Sequence, residues 1–210
     1  MGLPATTVAR LCKYRRMLGS FDNDNNTHIF SHNLAKLLNL TPEQVRRDLM
    51  LVGLTGNHRR GYNIEELIAL IGRTIDSEEG YNIAIVGIGN LGMAVTTFIR
   101  KAETKLNIVA AFDIDSKKVG KNLADVPCYH INDIPNIIKC LYISIAVLTV
   151  PPKAATEITK ILVNSGIKGI LNFTSVHLDV PSHLYLKDSN IITSLEEIGF
   201  FIKDWNKKGR

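Results

Sequence analysis

The chain has 210 residues, 45% of them hydrophobic, with 25 Lys and Arg against 20 Asp and Glu for a formal net charge of +5. That length supports one or two soluble domains, here of roughly 80 and 130 residues, and no apolar stretch reaches the ~18–20 residues of a membrane span. Cys12, Cys128 and Cys140 lie far apart with no Cys-x-x-Cys pair, which argues against a disulfide frame or a zinc site and suits a reducing cytoplasm.

Met1-Gly2-Leu3-Pro4 leads into a basic, polar segment with no apolar signal-peptide core. Gly2 is a weak match to a myristoylation site, and Pro4 reads more simply as a helix opening. Thr6 or Thr7 begins a first helix in which Val8, Leu11, Tyr14 and Leu18 return at spacings of three and four. Arg10, Lys13, Arg15 and Arg16 decorate it with no acid between Thr7 and Ser20. Phe21 to Thr27, rich in Asp and Asn, reads as a turn. Ser31 is a candidate N-cap for a short helix bearing Leu34, Leu37 and Leu38. Thr41-Pro42-Glu43-Gln44 gives a fuller start signal, with Pro at the first helical position and Gln where a capping box needs it. This third helix turns Val45, Leu49 and Leu51 or Val52 inward and Arg46 and Arg47 elsewhere.

After Gly53 the chain turns through Gly56-Asn57-His58-Arg59-Arg60-Gly61 and resumes at Tyr62. Helix, short helix, turn, basic helix and glycine-bounded basic hairpin is the order of a winged helix-turn-helix. Basic clusters alone read more simply as solvated helix faces; placed in this order they read as a phosphate-facing surface. In that architecture the helix from Thr41 enters the major groove with Gln44, Arg46, Arg47 and Asp48 near the base edges. His58, Arg59 and Arg60 form the wing. Arg47-Asp48 also fits an ordinary surface ion pair. An apolar helix over Leu67 to Ile75 leads into acidic Asp76-Ser77-Glu78-Glu79-Gly80, the expected boundary of a DNA-binding domain over residues 1–80.

Beyond it, Ile83-Ala84-Ile85-Val86 precedes Gly87-Ile88-Gly89-Asn90-Leu91-Gly92, and Asp113 ends the next apolar run. Strand, Gly-x-Gly-x-x-Gly turn, helix, strand and terminal acid is the order of a dinucleotide site. Gly87 permits the tight turn, Gly89 lets backbone approach a pyrophosphate, and Gly92 lets the helix pack closely. The helix N-terminus favours phosphate. Asp113 accepts from ribose hydroxyls and repels a 2′-phosphate, so NAD(H) is expected over NADP(H); Lys117 and Lys118 are close enough in sequence to blur that discrimination, though they read more simply as solvated side chains. Strands over Val126–His130, Tyr142–Thr149 and Gly169–Phe173, with helices around Ile134–Cys140 and Lys153–Asn164, complete a doubly wound α/β sheet over residues 81–194. Thr149, Val150, Pro151 and Asn172 sit at carboxyl ends, where the nicotinamide half is expected; Pro151-Pro152 equally reads as a helix start. Cys128 and Cys140 read as buried, inert thiols, and His130 and His177 as structural. Leu195 to Trp205 forms a last helix with Leu195, Ile198, Phe201, Ile202 and Trp205 on one stripe. It folds back on its own sheet or crosses to a partner.

In this order the parts resemble the Rex family of bacterial repressors that sense the NADH/NAD⁺ ratio. The matching stretches are Pro4-Ala5-Thr6 with Arg10-Leu11 and Tyr14, Gln44 to Leu49, Gly61-Tyr62-Asn63, Gly87 to Gly92 and Ala110 to Asp113. Val150-Pro151, Gly166 to Phe173 and Val180-Pro181 follow. The resemblance implies a homodimer on a palindromic double-stranded operator, released when NADH rises, with residues 195–210 as a swapped dimerisation helix. It implies DNA contacts at Arg10, Tyr14, Arg16, Gln44, Arg46, Arg47, His58, Arg59 and Arg60. The family usually has Tyr where Phe98 stands, and Asp-Leu-Ala where Asn190-Ile191-Ile192 stand; there the Tyr bonds the partner's Asp and tracks the nicotinamide state. That bond cannot form here. A Lys-Arg pair is also common where Asn57-His58 stand. Two other readings stay open: a regulator with altered NADH response, and an NAD-dependent dehydrogenase, for which no placed acid/base or substrate domain is evident.

Overall fold

The computed structural model describes residues 2–20, 27–54, 60–102 and 104–208, with side chains to residue 203. It divides into two compact units, Met1–Glu78 and Glu79–Arg210.

The first unit runs α1 (Ala5–Gly19), β1 (His28–Ile29), α2 (Ser31–Leu38), α3 (Pro42–Leu51), β2 (Tyr62–Asn63) and α4 (Ile64–Ile75). α1 begins at Ala5, one residue before the earlier of the two expected threonines, because the Pro4 carbonyl accepts from the N–H groups of Thr7 and Val8. Thr7 is therefore inside the helix and buried with Leu11, Tyr14 and Leu18. Phe30, not Ser31, occupies the N-cap of α2. Thr41 caps α3 as its sequence predicts, its hydroxyl accepting from the Gln44 N–H at 3.2 Å. Val45 and Leu49 of α3 are fully buried, while Leu51 is 52% exposed. β1 pairs antiparallel with β2, matching Ile29 to Tyr62; this strand begins one residue past the expected Asp/Asn-rich turn. Leu11, Leu34, Leu49, Leu67 and Ile71 form the centre of the core.

The second unit runs β3 (Tyr81–Val86), α5 (Asn90–Lys101), β4 (Leu106–Asp113), β5 (Asn122–Leu123), β6 (Val126–His130), α6 (Ile134–Cys140), β7 (Ile143–Leu148), α7 (Pro152–Asn164), β8 (Gly169–Asn172), β9 (Tyr185–Asp188) and α8 (Ile191–Lys208). Its sheet has the order β5-β6-β4-β3-β7-β8-β9, parallel except for the β5–β6 hairpin. Both faces are covered. Ala84 and Val86 of β3 enter one core and Ile83 and Ile85 the other, which is why the strand reads as unbroken hydrophobic sequence. The chain winds outward from β3 through β4 to one side and through β7 to the other, so the switch of direction lies between β3 and β7. Ligands of such sheets bind outside the carboxyl ends at that point. β5 and β9 are additions to the expected strands, and α8 starts four residues before the expected Leu195.

Candidate nucleotide pocket and DNA-facing helix

At the switch point a cavity of about 520 Å³ opens above the carboxyl ends of β3, β4 and β7. Gly87, Gly89, Asn90 and Leu91 form one wall, Asp113 another, and Thr149, Val150 and Pro151 a third. Gly87 has φ +91°, and a Cβ there would stand 2.8 Å from Val150 Cγ1 and 2.9 Å from the Thr149 backbone. A Cβ on Gly92 would collide with the Gly87 carbonyl oxygen, so α5 leaves the loop at a distance no other residue allows. Nothing lies within 4 Å of a Cβ built on Gly89, which faces open space. The N–H groups of the first turn of α5 have no partner within their own helix. Open space before a helix N-terminus fits a pyrophosphate. The Thr149 hydroxyl donates to the Gly87 carbonyl at 2.7 Å and locks the loop to the end of β7.

Asp113 is 8% exposed. Its Oδ2 accepts from the Ile88 N–H at 3.0 Å and from Lys118 Nζ at 2.9 Å, and its Oδ1 accepts from the Asp115 N–H at 2.9 Å. Burial pushes this carboxyl up, but the Asp115 N–H, the Lys118 ammonium and the Ile88 N–H outweigh it and hold it below the usual carboxylate range. The hydrogen bond to Asp113 likewise raises Lys118.

Three expected pocket residues stand outside the lining. Ile88 contributes only its backbone to Asp113, because its side chain is 2% exposed in the core. Gly92 acts by packing. Asn172 is fully spent on its own chain: its amide donates to the Val176 carbonyl and to Asp188, and its Oδ1 accepts from the N–H and hydroxyl of Thr174. The sequence reading missed Phe112, Ile114, Ile131, Ala154 and Ile158, which give the cavity its apolar lining; of its two readings of Lys118, the one beside Asp113 holds, since Lys118 lines the pocket. Lys118 sits five residues after the terminal acid, on the turn that Asp115 organises, and that spacing was the available signal.

In the first unit, Asp48 decides which basic residues face outward. It is buried, not the partner of Arg47, and accepts from Arg10 Nε at 2.6 Å, Arg10 NH2 at 2.8 Å, the Tyr14 hydroxyl at 2.7 Å and Gln44 Nε2 at 3.0 Å. Burial alone would raise its carboxyl; Arg10, Tyr14 and Gln44 together bring it below the ordinary value. Tyr14 is driven well above its ordinary value by burial and by Asp48. Arg10 and Tyr14 thus tie α1 to Asp48 of α3, and Gln44 bonds Asp48 within α3. Arg46 reaches Glu43 at 2.7 Å and the Ser31 hydroxyl at 3.1 Å. Arg47, Arg16 and Arg60 are exposed; His58 and Arg59 lie outside the described residues.

The family described as CoA binding domain matches residues 78–176, and the one described as putative DNA-binding protein N-terminus matches residues 2–49. The redox-sensing transcriptional repressor Rex of Exiguobacterium sibiricum is 33% identical, over 98% of this chain and 94% of its own. The chain belongs to the Rex family. Its fold follows RSP, a Rex-family repressor. RSP with β-NAD⁺ and operator DNA superposes with TM-score 0.87 at 27% identity, covering 100% of this chain and 96% of that one. RSP with β-NADH gives 0.87 at 28%, covering 99% of each. Rex relatives are named as transcriptional repressors.

Within this Rex chain, Phe98 lies on α5 and is 65% exposed. Asn190 caps α8, its Oδ1 accepting from the N–H groups of Ile192 and Thr193 at 3.0 and 3.2 Å. α8 does not bury its stripe on its own sheet: Leu195, Ile198, Phe201 and Ile202 are 49–57% exposed, and Ile192 and Phe200 are more so. The side chain of Trp205 is outside the described residues. Cys128 is buried, its thiol pushed up by burial and then by Asp113, whereas Cys140, expected to be buried, is exposed. Among the described residues no helix is long and apolar enough to cross a membrane and no cluster could hold a metal ion.

Proposed function

We propose that this chain is a cytoplasmic, homodimeric repressor that grips a palindromic operator through α3 and releases it when NADH rises relative to NAD⁺. One observation carries the reading: a glycine-walled cavity closing on Asp113 stands in a chain whose other unit presents Arg47 on a capped helix-turn-helix. Gly87 to Gly92 hold the pyrophosphate, Asp113 the adenosine ribose, and Thr149 to Pro151 the nicotinamide half. Arg47, with Arg46, Arg16 and Arg60, meets the DNA, and His58 and Arg59 add to the same contact. The bound nucleotide is a signal and not a substrate. A ligand shifts a two-state equilibrium only through its differential affinity for the states, so NADH must bind the DNA-free form more tightly than the DNA-bound one.

The pairing segment is the whole of α8 rather than 195–210. A helix whose apolar stripe lies exposed is one that an assembly buries, and the partner chain is the occupant of matching length and chemistry. The domains are then 1–80, 81–190 and the α8 arm. A second reading, a repressor with blunted NADH response, is favoured by Phe98 and by Asn190, whose carboxamide is already committed to the cap. Titrating the operator complex with NADH at fixed NAD⁺ tests both: sharp release supports the first, retention at saturating NADH supports the second. Turnover of any nucleotide-linked substrate would contradict both.

A further inference from the structure

Asp113 has given away most of its capacity to bind a ligand. A carboxylate offers about four lone-pair sites, and the Ile88 N–H, the Asp115 N–H and Lys118 Nζ take three of them. Its first task is to staple the glycine loop to the end of β4, leaving room for one ribose hydroxyl. Lys118 is in the opposite condition. An ammonium carries three donors, of which Asp113 takes one, and the side chain lines the cavity with 32% of its surface exposed. It is also held in place. Asp115 Oδ1 accepts from the Lys117 N–H at 2.9 Å, and the Asp115 carbonyl accepts from the N–H groups of Lys118 and Val119 at 2.9 and 3.1 Å. The turn therefore delivers the ammonium beside the carboxylate.

We propose that Lys118 is a ligand-contacting residue that sets how strictly this pocket excludes a phosphate from the adenosine ribose. The ribose end presents a neutral Asp113–Lys118 pair, where a lone acid would repel a 2′-phosphate outright. Lys118 donates to a ribose hydroxyl in NAD(H) and tempers the rejection of NADP(H). The two side chains thus pull selectivity in opposite directions. This inference rests on the NAD(H) reading of the cavity.

The test is calorimetric titration of the full chain with NADH and with NADPH. The parent prefers NADH. Lys118→Met uncovers the carboxylate, so the preference for NADH sharpens by roughly ten- to a hundredfold, the worth of one charge-assisted hydrogen bond to the phosphate. Lys118→Arg keeps the cation and holds the ratio near that of the parent. Asp113→Asn leaves the cation uncompensated and moves the preference toward NADPH. A Lys118→Met ratio within about twofold of the parent, with NADH still bound, overturns the role of Lys118 and spares the nucleotide reading. A parent that binds neither nucleotide overturns both.

Discussion

Asp48 and Asp113 are both buried, both paired with one basic side chain, and both held below the ordinary carboxylate range, yet they serve different ends. The partners of Asp48 are side chains: Thr7, Arg10 and Tyr14 from α1, and Gln44 from α3 itself. Such an arrangement fixes one helix on another and leaves nothing for a ligand. Two of the three partners of Asp113 are backbone N–H groups, and its remaining side opens on a cavity. A buried acid satisfied by side chains across a helix pair is part of the frame. One satisfied by loop backbone at the end of a strand is part of a site.

The comparison breaks first at Asp48. Asp48→Ala leaves Arg10 with an unpaired charge in a half-buried position and is expected to destabilise the N-terminal unit by about 3–5 kcal/mol, read by chemical unfolding. NADH binding should persist, and its loss would mean that the units do not act as separate bodies. The sign of the pH effect follows from the lowered carboxyl. The stabilisation is present above the unfolded value near 3.9 and is lost as pH falls through the still lower folded value. Unfolding midpoints of the N-terminal unit should therefore drop below about pH 4.

A new acid sharpens the comparison. Phe98→Tyr with Asn190→Asp keeps a cap at the start of α8, since Asp caps as well as Asn, and adds the hydroxyl–carboxylate bond that the chain lacks. Such a bond is worth about 1.5–3 kcal/mol. NADH-driven release should steepen in the double variant and change little in either single one; equal release in parent and double variant would favour switching by the shape of Phe98. Arg47→Ala should weaken operator binding by about 1–3 kcal/mol while stability moves within about 0.5 kcal/mol. Gln44→Ala should show the reverse, a stability loss of about 1 kcal/mol with operator affinity close to the parent at temperatures where the unit is folded. If Gln44→Ala weakens the operator as much as Arg47→Ala, Gln44 reads bases after all.

Elements with strong local signals were legible in the sequence. Thr41-Pro42 started α3 where expected, and the run from Ile83 to Gly92 gave strand, loop and helix in place. What escaped depended on partners distant in sequence. Arg10 and Tyr14 read as part of a DNA-facing surface, and the bonds they give Asp48, 38 and 34 residues away, have no local signal. β1 gains its two residues from pairing with β2 and has no local pattern of its own. The β5–β6 hairpin turns through Ala124 and Asp125, both at positive φ, where no Asn-Gly or Asp-Gly announces it. Lys118 reads first as solvated because a lysine after a strand is so by default, and the turn at Asp115 that aims it inward does not show in the sequence.

Under the proposed pairing of two copies through α8, its uncovered length ties the protein's integrity to its own abundance. Association that buries seven large apolar side chains, Ile191 and Ile192 through Ile202, adds to stability by mass action, so a hundredfold change in chain concentration shifts the balance by roughly 2.7 kcal/mol where only the paired form is folded. A repressor so built is sturdy where it is plentiful and fragile where it is scarce. Dilution alone then acts on it as a mild denaturant, and melting temperatures of this chain carry meaning only beside the concentration at which they were taken.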